Sequence, residues 1–366
     1  MEYISLISIS KNYNKNFGYI DRGSYMQISE FEDEDASEWD RYVKKISDST
    51  FYHQIGWKKV IEKTYGHEPL YIVAKEYKEI IGVFPLFLMK NKIFGKKIIS
   101  IPFAPYGGVC ADSLSIKNAL VKEAKRIVDN YNADFLEIRG SSGDENELLT
   151  NSSYYTLVLD LDENLDLVWN NLNRKVRNAT RKAVNSELTF EMNNKYERDF
   201  YRIFSRNIRD LGAPVHSSKF FENLLSEFPE NTDIAVAKYE DKVIGSIFLL
   251  YFKDTVISGW AASDKSYRRY NPNNIMYWES IKYGCERGFK YFDFGRSLMD
   301  SGTYRFKKPW GAEPKQLHYH YYLNNTSKMP DTSQSNSKRK TFSKLWEKLP
   351  VPMANFIGPK LRKNFP

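Results

Sequence analysis

Cysteine and histidine are scarce in this chain. Two cysteines among 366 residues, Cys110 and Cys285, make no disulfide framework. Neither lies in a CxxC or Cys/His spacing that would hold zinc, and both read as buried apolar thiols in a reducing compartment. The five histidines fall in no Ser/His/Asp order, and there is no P-loop and no GxGxxG. Triad hydrolysis and the common nucleotide cradles are thereby set aside. His318 and His320 alternate along one strand and share a face, which admits a metal. No carboxylate or third histidine accompanies them, so the expectation is no metal. No apolar run reaches the length of a membrane span, and no charged segment with an apolar stretch behind it opens the chain. A cytoplasmic protein is expected.

Charge and aromatic residues are abundant. A net charge of +8 favours polyanionic partners such as tRNA, nucleotide phosphates or anionic lipid headgroups, without choosing among them. The length suits two domains, and 42% hydrophobic with 15% aromatic residues is enough to build their cores.

Residues 1–24 are polar and rich in Asn and Tyr, a loose lead-in. The expected first domain spans 25–160 and the second 161–323. A helix at Gln54–Thr64 carries Trp57, Val60 and Ile61 on one face. A charged hairpin joins Leu70–Ala74 to Ile80–Leu88, and a second joins Ile234–Tyr239 to Val243–Phe252. Ala74-Lys75 aligns with Ala237-Lys238, Ile81-Gly82 with Ile244-Gly245, and Phe135–Arg139 with Tyr291–Gly295. This order implies a duplicated unit and an α/β fold of two similar domains, each a mixed sheet flanked by helices. Residues 324–341 read as a flexible linker. Residues 342–366 form a basic amphipathic segment, with Pro350 and Pro352 interrupting any single helix. Docking on the body is expected of it, with an anionic membrane surface as the alternative.

Several groups are candidates for chemistry. Tyr291–Phe294 is a strand that breaks at Gly295, and Phe306-Lys307-Lys308 follows in a turn-rich stretch beside Pro309-Trp310-Gly311. A lysine held against Phe and Trp is partly desolvated and responds strongly to developing negative charge. By residue chemistry alone, a solvated lysine pair beside core aromatics is the leading reading. Arg268 and Arg269 precede a helix opened by Asn271 as N-cap, Pro272 and Asn273, a natural phosphate site or an ordinary capped helix. A long helix at Leu165–Val184 holds Arg174, Arg177 and Arg181 along one side, able to grip tRNA or pyrophosphate through charge, or simply to face water. Arg206, Arg209 and His216 lie near a helix junction, and His216 is a possible base or a hydrogen-bonded surface residue.

The first half carries Phe51-Tyr52-His53 with Trp57, Gly66-His67, Ile81–Leu86, Ser100–Phe103 and Tyr106-Gly107-Gly108. The second carries Met276–Glu279, Phe292–Ser297, Phe306-Lys307-Lys308, Trp310-Gly311 and Glu313-Pro314. Together they resemble the FemAB-like proteins, and the second set, with Trp346 and Leu349-Pro350, is similar to the exosortase (PEP-CTERM)-associated subgroup. The resemblance implies two tandem GNAT-like (acyl-CoA N-acyltransferase) domains. It implies an N-acyl or aminoacyl transferase acting on an amine of a cell-envelope or surface-polysaccharide precursor. No bound cofactor is implied; the donor would be an aminoacyl-tRNA, an acyl-CoA or an acyl carrier protein. The resemblance places Phe306 and Lys307 at the transfer centre; beside them, Asp293 is assigned a catalytic part in orienting the loop by pairing with Arg296 or Lys307, with a structural role at the strand's end as the alternative. Arg268, Arg269, Asn273 and Trp310 would bind donor; Trp57, Tyr106, Arg206 and Arg209 would bind acceptor. The glycines of an acetyl-CoA loop are missing from Tyr267–Asn273. Peripheral contact with the inner face of the membrane would come through the C-terminal segment. From a different class, a non-catalytic basic module binding anionic glycan, RNA or membrane is the alternative.

Overall fold

The computed structural model describes residues 16–21, 24–91, 95–140, 148–330 and 337–366. Its backbone is an eleven-stranded mixed sheet and a smaller five-stranded sheet, with helices on their faces. The two expected hairpins are present and carry the same irregularity. Ala74 pairs with Gly82 and Ala237 with Gly245, and each ladder shifts register at the next residue. A bulge kept at one position in both copies is strong structural support for the duplication. Each hairpin glycine lets a helix approach closely. A Cβ on Gly82 would lie 2.8 Å from Ile116, and one on Gly245 would lie 2.9 Å from Met276.

The copies then diverge. The second hairpin's return strand, Lys242–Phe252, is continuous. Its counterpart is cut into Glu79–Phe84 and Phe87–Asn91. Pro85 lies at the cut and lacks the N–H that a central strand needs. Glu79–Phe84 stays in the five-stranded sheet, while Phe87–Asn91 joins the large one.

The large sheet runs through both halves. Thr255–Ser263 lies parallel to Tyr291–Leu298, as Gly95–Ile99 does to Phe135–Gly140. Between these pairs sit Leu149–Asp160 and Glu313–Leu323. Leu149–Asp160, on the first-half side of the expected boundary, therefore pairs with two strands of the second half. A shared aromatic core fastens the halves further: Phe51 lies 4.5 Å from Phe228 and Trp57 lies 5.9 Å from Phe220, centroid to centroid.

Local expectations needed correction in several places. The lead-in is not all loose, because Asn16–Asp21 pairs with Ser24–Glu30; residues 1–15 lie outside the described residues. The long basic helix is two helices, Leu165–Asn171 and Arg174–Val184. Leu172 turns extended to bury its side chain, and the Asn173 side chain caps the second helix. Arg174 and Arg181 on it are exposed. The strand at Tyr291 continues through Gly295 to Leu298. The stretch before Lys307 is a short helix, Gly302–Lys307, capped by the Ser301 hydroxyl. Part of the expected linker is helical, since Ser337–Trp346 is a helix; residues 331–336 lie outside the described residues. The C-terminal segment docks on the body, with Trp346, Ala354 and Gly358 buried.

Candidate active site

The two parallel strands of the second half pair only from Thr255–Ile257 to Tyr291–Asp293 and then separate. Beyond that point Leu149–Asp160 is the strand that stays paired with Tyr291–Leu298 among the described residues. Gly295 sits just past the separation with φ 73°, and a Cβ there would lie 3.2 Å from the Ser258 carbonyl oxygen. Glycine permits both the left-handed backbone and the close approach.

Lys307 ends the helix Gly302–Lys307 and turns inward, to 8% exposure. Its Nζ donates to the carbonyls of Gly295 at 2.8 Å and Arg296 at 3.2 Å. Burial pulls its pKa down from 10.5 to about 8; the Asp293 carboxylate opposes that shift and the Arg296 guanidinium adds to it. At neutral pH it is still mostly an ammonium, with one N–H not engaged by these two carbonyls. Phe306 is half-buried against Tyr277 and Trp310. Lys308 is exposed, 3.2 Å from Glu313.

Asp293 is buried where the two halves meet. It accepts from the hydroxyls of Tyr106 and Thr156 and, at 2.7 Å, from the Gly295 N–H. It thus orients the loop through a backbone N–H and two hydroxyls; no ion pair within 4 Å joins it to Arg296 or Lys307 among the described residues. Burial beside this carboxylate raises the Tyr106 pKa well above the usual phenol range, so Tyr106 stays a donor.

Tyr106 lies on a strained loop. Ile101 and Phe103 have φ 48° and 66°, rare for such side chains. Gly107 has φ 148°, and a Cβ there would come within 2.3 Å of Ile101 Cδ1. Strain of this kind persists where surroundings over-determine the backbone, commonly at functional sites.

The remaining candidates divide. Trp57 and Trp310 are fully buried in the cores, their indole N–H groups without hydrogen-bond partners among the described residues. They are packing residues and not lining of an open site, because their helix and turn present them inward. Arg209 is half-buried and donates to the carbonyls of Glu347 and Leu349, anchoring the C-terminal segment. Arg206 is exposed, 3.9 Å from Asp264. Arg268 and Arg269 are exposed, and Arg269 stacks on Tyr270. Asn273 is half-buried in the first helical turn. Asn271 takes a left-handed conformation, φ 55°, and its side chain does not cap the helix. No hydrogen bond or ring contact joins these donor candidates to Lys307 among the described residues. His216 is buried, not the surface residue expected as one reading, and burial with the neighbouring Arg362 pushes its pKa well below 6.5.

His318 and His320 stack with centroids 6.3 Å apart, and hydrogen bonds join them to the hydroxyls of Ser152 and Thr150. No group of three His, Cys, Asp or Glu able to hold a metal occurs among the described residues. A concavity on the first half's side of Tyr106 is lined by Asp48, Thr50, His53, Lys117 and His320, but Lys307 and Asp293 do not line it.

Sequence reasoning assigned Arg296 only a pairing role and missed Arg362. The Arg296 carbonyl accepts from Lys307 Nζ, while its guanidinium lies 4.6 Å from the Tyr154 ring and its Nη1 donates to the Tyr319 hydroxyl at 2.8 Å. Its place three residues past Asp293, toward the end of the strand Tyr291–Leu298, was the available signal.

Comparison with known proteins fits this geometry. Residues 169–308 match the acetyltransferase (GNAT) domain family. The chain is 30% identical over 155 residues to a lipid II:glycine glycyltransferase of Staphylococcus haemolyticus (strain JCSC1435), covering 39% of this chain and 35% of that protein. The match therefore spans about a third of the curated relative. The crystal structure of FemX superposes with a TM-score of 0.66 at 17% identity, over 81% of this chain and 97% of FemX. A tandem GNAT protein from the clavulanic acid biosynthesis pathway superposes with a TM-score of 0.53 at 10% identity, over 83% and 100%. The chain has the tandem GNAT fold, with a GNAT acyltransferase domain in its second half.

Proposed function

We propose that this protein is a FemAB-like acyltransferase that moves an aminoacyl or acyl group onto an amine of a cell-envelope or surface-polysaccharide precursor. Within that family we place it in the exosortase-associated subgroup, on the residues quoted above. The observation that carries the reading is Lys307: a buried ammonium, pinned by two carbonyls, beside the carboxylate that ties the halves together. Attack of an amine on an ester or thioester carbonyl puts negative charge on the carbonyl oxygen. A fixed cation in a water-poor site stabilises that charge without reorganising. Asp293 positions; its oxygens already accept three hydrogen bonds, so it is poorly placed to take a proton from the amine.

The relative's printed activity, glycyl transfer to lipid II, supports an aminoacyl-tRNA donor and a lipid-linked acceptor. Acyl-CoA and acyl carrier protein are the other donors to test. Exposed Leu345, Met353 and Phe356 among Lys344, Lys348 and Lys360 support peripheral contact with an anionic membrane. No described helix is long and apolar enough to cross one. The test is transfer from each donor class to an amine acceptor by wild type and Lys307→Ala. Transfer by wild type that is lost in a folded Lys307→Ala supports the reading; full transfer without Lys307 overturns it.

A further inference from the structure

Each copy of the duplicated unit buries a carboxylate where its parallel strands stop pairing. In the second copy the ladder ends with Ile257 opposite Asp293, and in the first with Ile99 opposite Glu137. Both side chains are buried. The residue two places further on differs: the second copy has Gly295 there and the first has Arg139. Arg139 is 3% exposed, and its Nε donates to Glu137 Oε1 at 2.7 Å. Glu137 Oε2 accepts from the Tyr321 hydroxyl at 3.1 Å. Lys97 is a neighbouring cation, but its Nζ donates to the Asn364 carbonyl at 2.9 Å and makes no ion pair with Glu137 within 4 Å among the described residues.

Arg139 grips the strained loop that carries Tyr106 at both of its ends. Before Tyr106, its Nη1 donates to the Ala104 carbonyl at 2.7 Å and its N–H donates to the Ser100 hydroxyl oxygen at 2.8 Å. After Tyr106, its carbonyl accepts from the Gly107 N–H at 2.7 Å. The guanidinium also lies 5.5 Å from the ring of Tyr319, whose hydroxyl donates to the Pro105 carbonyl. Ile101, Phe103 and Gly107 all have positive φ, and such a backbone persists only where its surroundings over-determine it. A buried ion pair is a weak source of stability compared with apolar packing. What the planar fork supplies is direction: Glu137 fixes the Nε edge, which aims Nη1 at Ala104.

We propose that Arg139 is a positioning residue for the transfer centre, setting the loop through Ala104 and Gly107 so that the Tyr106 hydroxyl meets Asp293. From there the path is continuous: Asp293 holds the Gly295 N–H, and the Gly295 carbonyl holds Lys307. The first copy's carboxylate thus serves the centre of the second, by orienting an arginine where Asp293 orients a backbone N–H. No hydrogen bond or ion pair joins Arg139 to Lys307 among the described residues, so its action runs through Tyr106. The effect on rate rests on the transferase reading; the effect on the geometry at Gly295 does not.

The test is a double-mutant cycle of Arg139→Lys and Tyr106→Phe in the full chain. Lysine keeps a charge for Glu137 but lacks the fork that also reaches Ala104. Two readouts are taken, kcat and KM for transfer and the Gly295 amide resonance by NMR. Arg139→Lys alone is expected to shift that resonance and to lower kcat at least about tenfold with KM nearly unchanged, because small misplacements at a reacting centre are amplified. In the Tyr106→Phe background it should lower kcat no further and shift Gly295 no further, since the link is already cut. Effects that simply add in the cycle, or a Gly295 amide unmoved in Arg139→Lys, overturn the proposal. Where Arg139→Lys fails to fold, the double variant Glu137→Gln/Arg139→Gln leaves no unpaired buried charge and takes its place. Arg126→Gln, which breaks the Glu123 pair on the helix Leu114–Asn130, should move neither readout; an equal Gly295 shift there also overturns the proposal. A chain that transfers nothing while its Gly295 amide follows the cycle leaves Arg139's place standing while the transferase reading falls.

Discussion

The Tyr106 hydroxyl, from the first half, donates to the Asp293 carboxylate of the second. Asp293 in turn holds the Gly295 N–H, and the Gly295 carbonyl holds Lys307. A contact between halves is thereby relayed to the ammonium through one backbone unit.

Tyr106→Phe removes that donor and leaves a buried carboxylate oxygen without it. Hydrogen bonds to charged groups contribute about 1.5–3 kcal/mol, and a loss of that size is expected in urea unfolding. Transfer should also fall, because Asp293 loses one of the three hydrogen bonds that orient it toward the Gly295 N–H. Unchanged stability and unchanged rate together would show that the relay is idle.

Lys307→Met keeps the stem's volume and removes the charge. A fall in kcat of roughly 10²–10³ is expected, the range for loss of one oxyanion donor, with substrate affinity little changed. The stability effect depends on pH. The folded pKa near 8 lies below the ordinary 10.5, so the unfolded chain binds more protons between those values. Wild type should therefore gain stability relative to Lys307→Met as pH rises from about 8 to 10.5. A gap that stays constant across that window would contradict the burial argument.

Three histidines are held neutral. His53 accepts from the Thr50 N–H and its Nε2 bonds the Gly108 carbonyl; His67 bonds the Lys363 carbonyl; His216 accepts from Arg362. Burial lowers the pKa of His53 and His67 to about 4, and burial with the nearby Arg362 holds that of His216 well below 6.5. Folded pKa values below 6.5 mean that the unfolded state binds more protons, so stability is lost as pH falls from about 6.5 to 4. Protonated His216 would also repel Arg362. Denaturant titrations at pH 7, 6 and 5 should show the decline, and His216→Gln should flatten it.

Gly107→Ala places a Cβ 2.3 Å from Ile101 Cδ1 at φ 148°. Strained positions of this kind cost about 1–3 kcal/mol. Circular-dichroism melts should show the loss, with transfer reduced because Tyr106 is the neighbouring residue. Gly302→Ala, at a helix start with nothing within 4 Å, should be nearly silent in the same assay.

Much of the fold was legible along the chain. Hairpin turns, alternation and the Ala/Gly echo are local patterns, so the duplication could be read from residues 74–82 and 237–245 alone. Lys307 could be singled out because a lysine between Phe306 and Trp310 is chemically unusual wherever the chain goes. Trp57 and Trp310 misled for the opposite reason. An aromatic residue looks the same whether it lines a cleft or fills a core, and only the packing of Phe220 and Phe294 against them decides.

The sequence by itself determined the α/β class, the repeated unit and the suspicion attached to one lysine, since these depend on neighbours a few residues apart. The tertiary structure alone decided that Leu149–Asp160 and Glu313–Leu323 join the halves in one sheet, and that Arg362 returns to Phe103 and His216. Those partners lie 259 and 146 residues from Arg362 along the chain. No local propensity spans such a distance; burial of a shared core brings them together.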